Sequence, residues 1–233
     1  MTIGIIAAMD EEIVYLKNKL TITNETKIAQ SLFIEGELAD RKVVLLKSGI
    51  GKVNAAMSTT ILHEKFKPNL VVNTGSAGGL SHRLSVGDIV ISSEVIHHDV
   101  DATVFNYEYG QVPGMPHTYH ANERLVHHAK QVLKKLQINA SVGMIGTGDS
   151  FMSDDKYVKY IKEKIPSLIA AEMEAASIAQ VCFQYGTPFV IIRALSDIAG
   201  KDANISFDEF LDTAAKNSTR FIIEFVKSMN SYD

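Results

Sequence analysis

Short apolar runs alternate along this chain with segments of helical periodicity, and that alternation constrains the fold more than any other feature of its 233 residues. Ile3 to Ala8, Leu70 to Asn73 and Pro188 to Ala194 are too short and too uniformly apolar for amphipathic helices, and read as strands buried on both faces. Behind Asp10, which reads as an N-cap, Ile13, Leu16 and Leu20 recur at helical spacing and predict a helix to about Leu20. Further helices are expected over Val53 to Phe66, Leu125 to Leu136, Asp154 to Ile165, Met173 to Tyr185 and Phe207 to Met229, with strands over Ile89 to Ser92 and Val142 to Ile145. Leu32 to Leu38 and Lys42 to Leu46 flank Ala39-Asp40-Arg41 as a hairpin, which makes part of the sheet antiparallel. Residues 1–233 are therefore expected to form a single-domain, three-layer α/β/α fold around a mixed, twisted central sheet, since no linker or composition shift divides them.

In such a sheet a ligand binds outside the carboxyl ends of the strands. The stretch Val71-Val72-Asn73-Thr74-Gly75-Ser76-Ala77-Gly78-Gly79 fits that place, because an apolar strand runs into small residues that let another molecule approach the backbone. Three other segments share the pattern: Ile5 to Glu12, Glu172-Met173-Glu174 and Arg193 to Asp197. Asp10 and Glu11 suit the positive start of a helix. Glu12 is either a third such residue or a carboxylate facing the crevice, able to take a proton from water if its surroundings raise its pKa. Alternation would point Glu172 and Glu174 to opposite sides, one of them facing a ligand, where a carboxylate can accept from two adjacent hydroxyls; capping of the helix that follows is the other reading. Arg193 ends an apolar run and needs a partner, expected to be a carboxylate, either as a structural ion pair or at the site. Asp197 is a candidate acid or a turn residue.

Composition removes several function classes. A net charge of -4 and a pI near 6.1 give no reason to expect nucleic acid or an anionic membrane as partner. No run approaches the ~18 apolar residues of a spanning helix, and the start of the chain lacks the pattern of a secretory signal, so a cytoplasmic location is expected. The single cysteine, Cys182, can form no internal disulfide and reads as a small core residue. His97 and His98 beside Asp99 and Asp101 lack metal-ligand spacing and are expected to be solvated or to stand behind a site, so neither metal nor cofactor is expected. Residues 97–120 lose periodicity and are rich in aromatic residues, Gly and Pro, which marks a functional or partner-bound loop.

Taken together, these residues make the chain resemble the 5′-methylthioadenosine/S-adenosylhomocysteine nucleosidases of the nucleoside phosphorylase/nucleosidase family. The resemblance rests on Ala8-Met9-Asp10-Glu11-Glu12, Lys47 to Ala56, Asn73 to Gly79, Val86-Gly87-Asp88, Tyr107 to Gln111, Gly148 to Phe151, Glu172 to Ala175, Arg193 to Asp197 and Ser206 to Phe210. It implies a nucleoside phosphorylase-like fold, and hydrolysis of the N-glycosidic bond of methylthioadenosine, S-adenosylhomocysteine and 5′-deoxyadenosine, with no cofactor. It implies that Asp197 assists adenine departure at N7 and that Glu12 deprotonates the attacking water, with Ser76 and Arg193 holding it. Glu174 and the Met173 backbone would grip the ribose, Phe151 would stack on adenine and the Met152 backbone would read its edge. Met9, Ile50, Phe105 and Phe207 would line the 5′-alkylthio pocket, and Ala77, Gly78 and Ser196 would complete the walls. A homodimer is implied, with Tyr107 and Pro113 of the partner closing the 5′ pocket. The chain departs from the usual pattern at Asp10, Val100, Asn106, Thr147 and Leu195, none of which removes a catalytic group.

Two rivals remain. A purine nucleoside phosphorylase of the same fold would need a phosphate pocket, and Asp10, Glu11 and Glu12 would repel a dianion. A dinucleotide oxidoreductase or a silent nucleotide sensor would need G-x-G-x-x-G, which Gly75, Gly78 and Gly79 do not match, nor do Gly49 and Gly51.

Overall fold

The computed structural model describes residues 1–199 and 203–229, with side chains given for 1–199 and 209–229. Strand β1 (Thr2–Ala7) leads into α1 (Asp10–Lys17), and the hairpin strands β2 (Thr21–Ile28), β3 (Ser31–Leu38) and β4 (Arg41–Lys47) follow. After them come α2 (Lys52–Phe66), β5 (Leu70–Gly79), β6 (Ile89–His97), the short β7 (Tyr119–His120), α3 (Glu123–Leu136) and β8 (Ala140–Thr147). The chain closes with α4 (Asp155–Lys164), β9 (Leu168–Glu172), α5 (Ala175–Tyr185), β10 (Phe189–Ile198) and α6 (Ala203–Ser228).

The expected α/β fold with a mixed central sheet is present. The strand order is β10-β6-β8-β9-β5-β1-β4-β3-β2, with β7 beside β6. β1 runs parallel to both β4 and β5, while β2–β3 and β3–β4 are antiparallel. β10 also pairs with β5, in parallel, so β5, β10, β6, β8 and β9 form a closed circuit at one end of the sheet. The parallel strands are buried along most of their length, as their unbroken apolar runs demand.

Local chemistry explains the element ends. Ala39 and Asp40, both at positive φ, make the two-residue turn of the β3–β4 hairpin, the geometry that matches strand twist. Asn122 caps α3 by accepting from the N–H groups of Arg124 and Leu125, and Leu125, Ala129, Val132 and Leu133 form its buried stripe. Cys182 is a buried member of α5, as expected.

Several boundaries differ from expectation. β2 gave no signal because its residues are mostly exposed and carry no apolar face. β5 does not stop at Asn73 but continues through Gly79, since small residues with little strand propensity are held there by the ladder to β10. α1 ends at Lys17 rather than near Leu20. None of the described helices is long and apolar enough to cross a membrane.

Candidate active site

The carboxyl ends of β1, β5, β9 and β10 meet around a cavity of about 340 Å³. Glu12 is fixed first. Met9, not Asp10, takes the N-cap position of α1, and Glu12 is the third helical residue, where a carboxylate can reach back to the N–H groups of the cap and the residue before it. Its Oε2 accepts from the N–H of Ala8 at 2.9 Å and of Met9 at 3.2 Å. Its Oε1 accepts from Ser76 N at 2.9 Å and Ser76 Oγ at 3.0 Å, which ties the end of β1 to β5. Asp10 is therefore not the expected cap; it faces outward and pairs with Lys47 Nζ at 2.7 Å.

Gly75 makes this packing possible. Its φ is +148°, and a Cβ there would lie 2.5 Å from Arg193 Nη1 and 2.7 Å from Glu12 Oε1. Any side chain would drive the two charged groups apart.

Arg193 is fully buried on β10 and surrounded by acceptors. Its Nη2 donates to Asn73 Oδ1 at 2.8 Å, to Glu172 and to Glu174 at 3.3 Å, and its Nη1 to the Ser76 carbonyl at 3.2 Å. Both glutamates thus reach one guanidinium, contrary to the expectation that they point to opposite sides. β9 ends at Glu172 and the chain turns into α5 at once, so strand alternation does not extend to Glu174. Glu172 also accepts from the N–H groups of Glu174 at 2.9 Å and Ala175 at 2.8 Å, capping α5. Glu174 accepts from Gly51 N at 2.9 Å. Burial, only partly offset by Arg193 and reinforced by the nearby Glu172 charge, pushes the Glu174 carboxyl up to about 8.

Asp197 is placed by an irregularity. The register between β10 and β5 shifts between Leu195 and Asp197, and such a bulge re-aims the residue that follows it. Asp197 is 3% exposed, its Oδ1 accepts from Ser196 Oγ at 2.8 Å, and its Oδ2 would meet a Cβ on Gly78 at 2.9 Å. Burial pushes its carboxyl above the usual carboxylate range, the Ser196 bond opposing only in part.

Of the predicted site residues, Met9, Glu12, Ile50, Ser76, Ala77, Gly78, Phe151, Met152, Met173, Glu174, Arg193, Ser196 and Asp197 all line the cavity. Phe105 does not: it is 73% exposed on a short turn, next to Val104 at 81%. Tyr107 is half-buried and Pro113 exposed in the same loop, where Asn106 adopts a left-handed φ of 65°. The side chain of Phe207 lies outside the described residues. His97 and His98 are not solvated but buried, which lowers their pKa values and favours the neutral ring, and His97 bonds Gln180 at 3.0 Å.

Glu172, one of the two carboxylates singled out in the sequence, also lines the cavity and accepts from Thr147, and three residues with no assignment from sequence, Ala8, Ser150 and Ala171, line it too. Asn73 had a legible signal, since an amide inside the run Val71-Val72-Asn73 must find partners once buried. The tie between the two cavity-lining loops had none: Asp99 accepts from Lys52 Nζ at 2.6 Å and from Asp149 N at 3.0 Å, while Asp149 Oδ1 accepts from Lys52 N at 2.8 Å.

The arrangement offers an acid inclined to keep its proton, an anchored carboxylate and one cation already engaged by acceptors. An incoming dianion would face Glu12 and Glu172 with no free guanidinium to meet it.

The family model of the phosphorylase superfamily matches residues 2–227. A 5′-methylthioadenosine/S-adenosylhomocysteine nucleosidase of Oceanobacillus iheyensis is 58% identical over 98% of this chain and 100% of its own length. The crystal structure of the Neisseria meningitidis nucleosidase of that name, in complex with methylthio-immucillin-A, superposes with a TM-score of 0.96 at 45% identity, covering 98% of this chain and 99% of that one. The Colwellia psychrerythraea nucleosidase in complex with adenine gives a TM-score of 0.95 at 46% identity, over 99% of this chain and 98% of that one.

Proposed function

The chain belongs to the 5′-methylthioadenosine/S-adenosylhomocysteine nucleosidases of the phosphorylase superfamily, and on that premise we propose that it hydrolyses the N-glycosidic bond of those two nucleosides. The observation that carries this reading is the juxtaposition of buried Asp197 and four-donor Glu12 in one cavity whose guanidinium is engaged by carboxylates. Adenine sits against Phe151 and the Met152 backbone. Asp197 passes its proton to N7 as the bond from the base to C1′ breaks and the electron pair leaves with the purine, a contribution of about 10² to 10⁴ in rate. The ribosyl cation is steadied by Glu174, which with the Met173 backbone holds the sugar hydroxyls. Water adds to C1′ and gives its proton to Glu12, oriented by Ser76, whose carbonyl Arg193 fixes. Solvent then restores the proton to Asp197 and removes it from Glu12.

Met9 and Ile50 form the apolar wall for the 5′-thio group, joined across a homodimer interface by Tyr107 and Pro113 of a second copy. The exposed Val104 and Phe105 suit that interface better than the chain's own cavity. The protein acts as one domain, in the cytoplasm, on small nucleosides that include 5′-deoxyadenosine.

Chromatographic assay of adenine release from methylthioadenosine, with and without phosphate, tests the reading. Equal rates and free methylthioribose are expected; a requirement for phosphate with formation of the ribose 1-phosphate would overturn it in favour of phosphorolysis.

A further inference from the structure

Glu172 takes no part in the reaction proposed above, yet it lines the cavity and ties β8, the start of α5 and β10 together. Its Oε1 accepts from Thr147 Oγ1 at the end of β8, and its Oε2 from the Glu174 and Ala175 N–H groups at 2.9 and 2.8 Å and from Arg193 Nη2 on β10. Thr147 Oγ1 accepts in turn from Ala176 N at 2.8 Å. Each of these partners donates to Glu172, an arrangement that calls for a carboxylate acceptor. Glu174 is held differently, by Gly51 N at 2.9 Å and by a longer contact to Arg193 at 3.3 Å.

Resting on the reading that Glu174 faces the sugar, we propose that Glu172 is a positioning residue: as counter-ion of Arg193 and anchor of α5, it leaves the Glu174 carboxyl to the ribose hydroxyls. The groups facing Glu174 are Arg193 from β10, Glu172 from β9, Glu12 from α1 and the Gly51 N–H before α2. Those facing Glu172 are Thr147, Arg193 and Glu174, with the buried rings of His97 and His98, whose pKa values burial lowers, behind. Removing the Glu172 charge takes away a like charge from Glu174 and hands it the guanidinium. Both changes favour ionised Glu174, so it should hold its proton less tightly.

Glu172→Gln tests this in the full-length free protein. The amide oxygen can keep the Glu174 and Ala175 N–H contacts while the NH₂ donates to Thr147 Oγ1, so the helix anchor survives and what is lost is the charge that holds Arg193. The Glu174 carboxyl carbon is followed by ¹³C NMR titration and assigned by its loss in Glu174→Gln. Its midpoint should fall by at least about one pH unit in Glu172→Gln and return to within about half a unit of the wild type in Glu172→Asp. An unchanged or higher midpoint in folded Glu172→Gln, or an equal fall in Glu172→Asp, would overturn the proposal. A role in stability alone would lower the melting temperature without moving the midpoint. If Glu172→Gln does not fold, the crystal structure of Glu174→Gln decides: the Arg193–Glu172 contact should persist, and a guanidinium turned away from Glu172 overturns the assignment. The titration needs no turnover, so absence of adenine release in the wild type would sink the nucleosidase reading while this result stood or fell separately.

Discussion

Asp197 owes its chemistry to where the β10 bulge puts it. Burial disfavours its charged form and one serine hydroxyl is too little to restore it, so it stays a proton donor to higher pH than an exposed aspartate. Asp197→Asn keeps the shape and removes the proton, so adenine release should fall by at least about 10²-fold with an unchanged circular dichroism spectrum; near-normal turnover would take Asp197 out of that role. Glu174 makes a prediction about stability. Its folded pKa is raised to about 8 from 4.5, so the stability it contributes is complete below 4.5 and lost as pH rises through 8. Between about pH 5 and about pH 8, Glu174→Gln should therefore lose less melting temperature than the wild type. Parallel curves from calorimetry would show that Glu174 is not held this way.

At the scale of elements, the glycine-rich half of β5 is a strand whose missing side chains are filled by charged groups from α1 and β10. Gly75→Ala must push Glu12 and Arg193 apart, and activity should drop by at least about 10²-fold even in protein that still folds, if Glu12 is the carboxylate that activates water as proposed. A crystal structure of the variant with Glu12 still bonded to Ser76 and full activity would contradict this. The cap of α3 serves as the contrast. Asn122→Ala removes the acceptor for two N–H groups remote from the cavity, so urea unfolding should show a loss of about 1 kcal/mol with unaltered kcat/KM.

At the scale of the whole molecule, the closed circuit of β5, β10, β6, β8 and β9 brings Ser76, Arg193, Thr147 and Glu172 into one network, although β8 and β10 are distant in the chain. The loop bearing Val104 and Phe105 lies outside that network with its apolar side chains in the open. On the proposed homodimer, replacing both by Glu should shift the protein toward monomer in sedimentation velocity and raise KM more than it lowers kcat, since the second copy's share of the 5′ wall would be lost. A dimer undisturbed by the two charges would place the interface elsewhere.

Periodicity alone made the alternation of strands and helices and the mixed sheet legible, because burial on two faces and burial on one leave different apolar patterns. The same residues marked Glu12, Glu174, Arg193 and Asp197 as candidates, since polar groups at the ends of apolar runs need partners or a ligand. Strand β2 and the far halves of β5 and β10 stayed hidden, for their pairing lies in backbone hydrogen bonds that side-chain pattern does not record. Only the folded structure could give Glu172 its place. Whether two carboxylates share one guanidinium depends on where β9 bends into α5 against β10, and that is set by contacts between segments far apart in sequence.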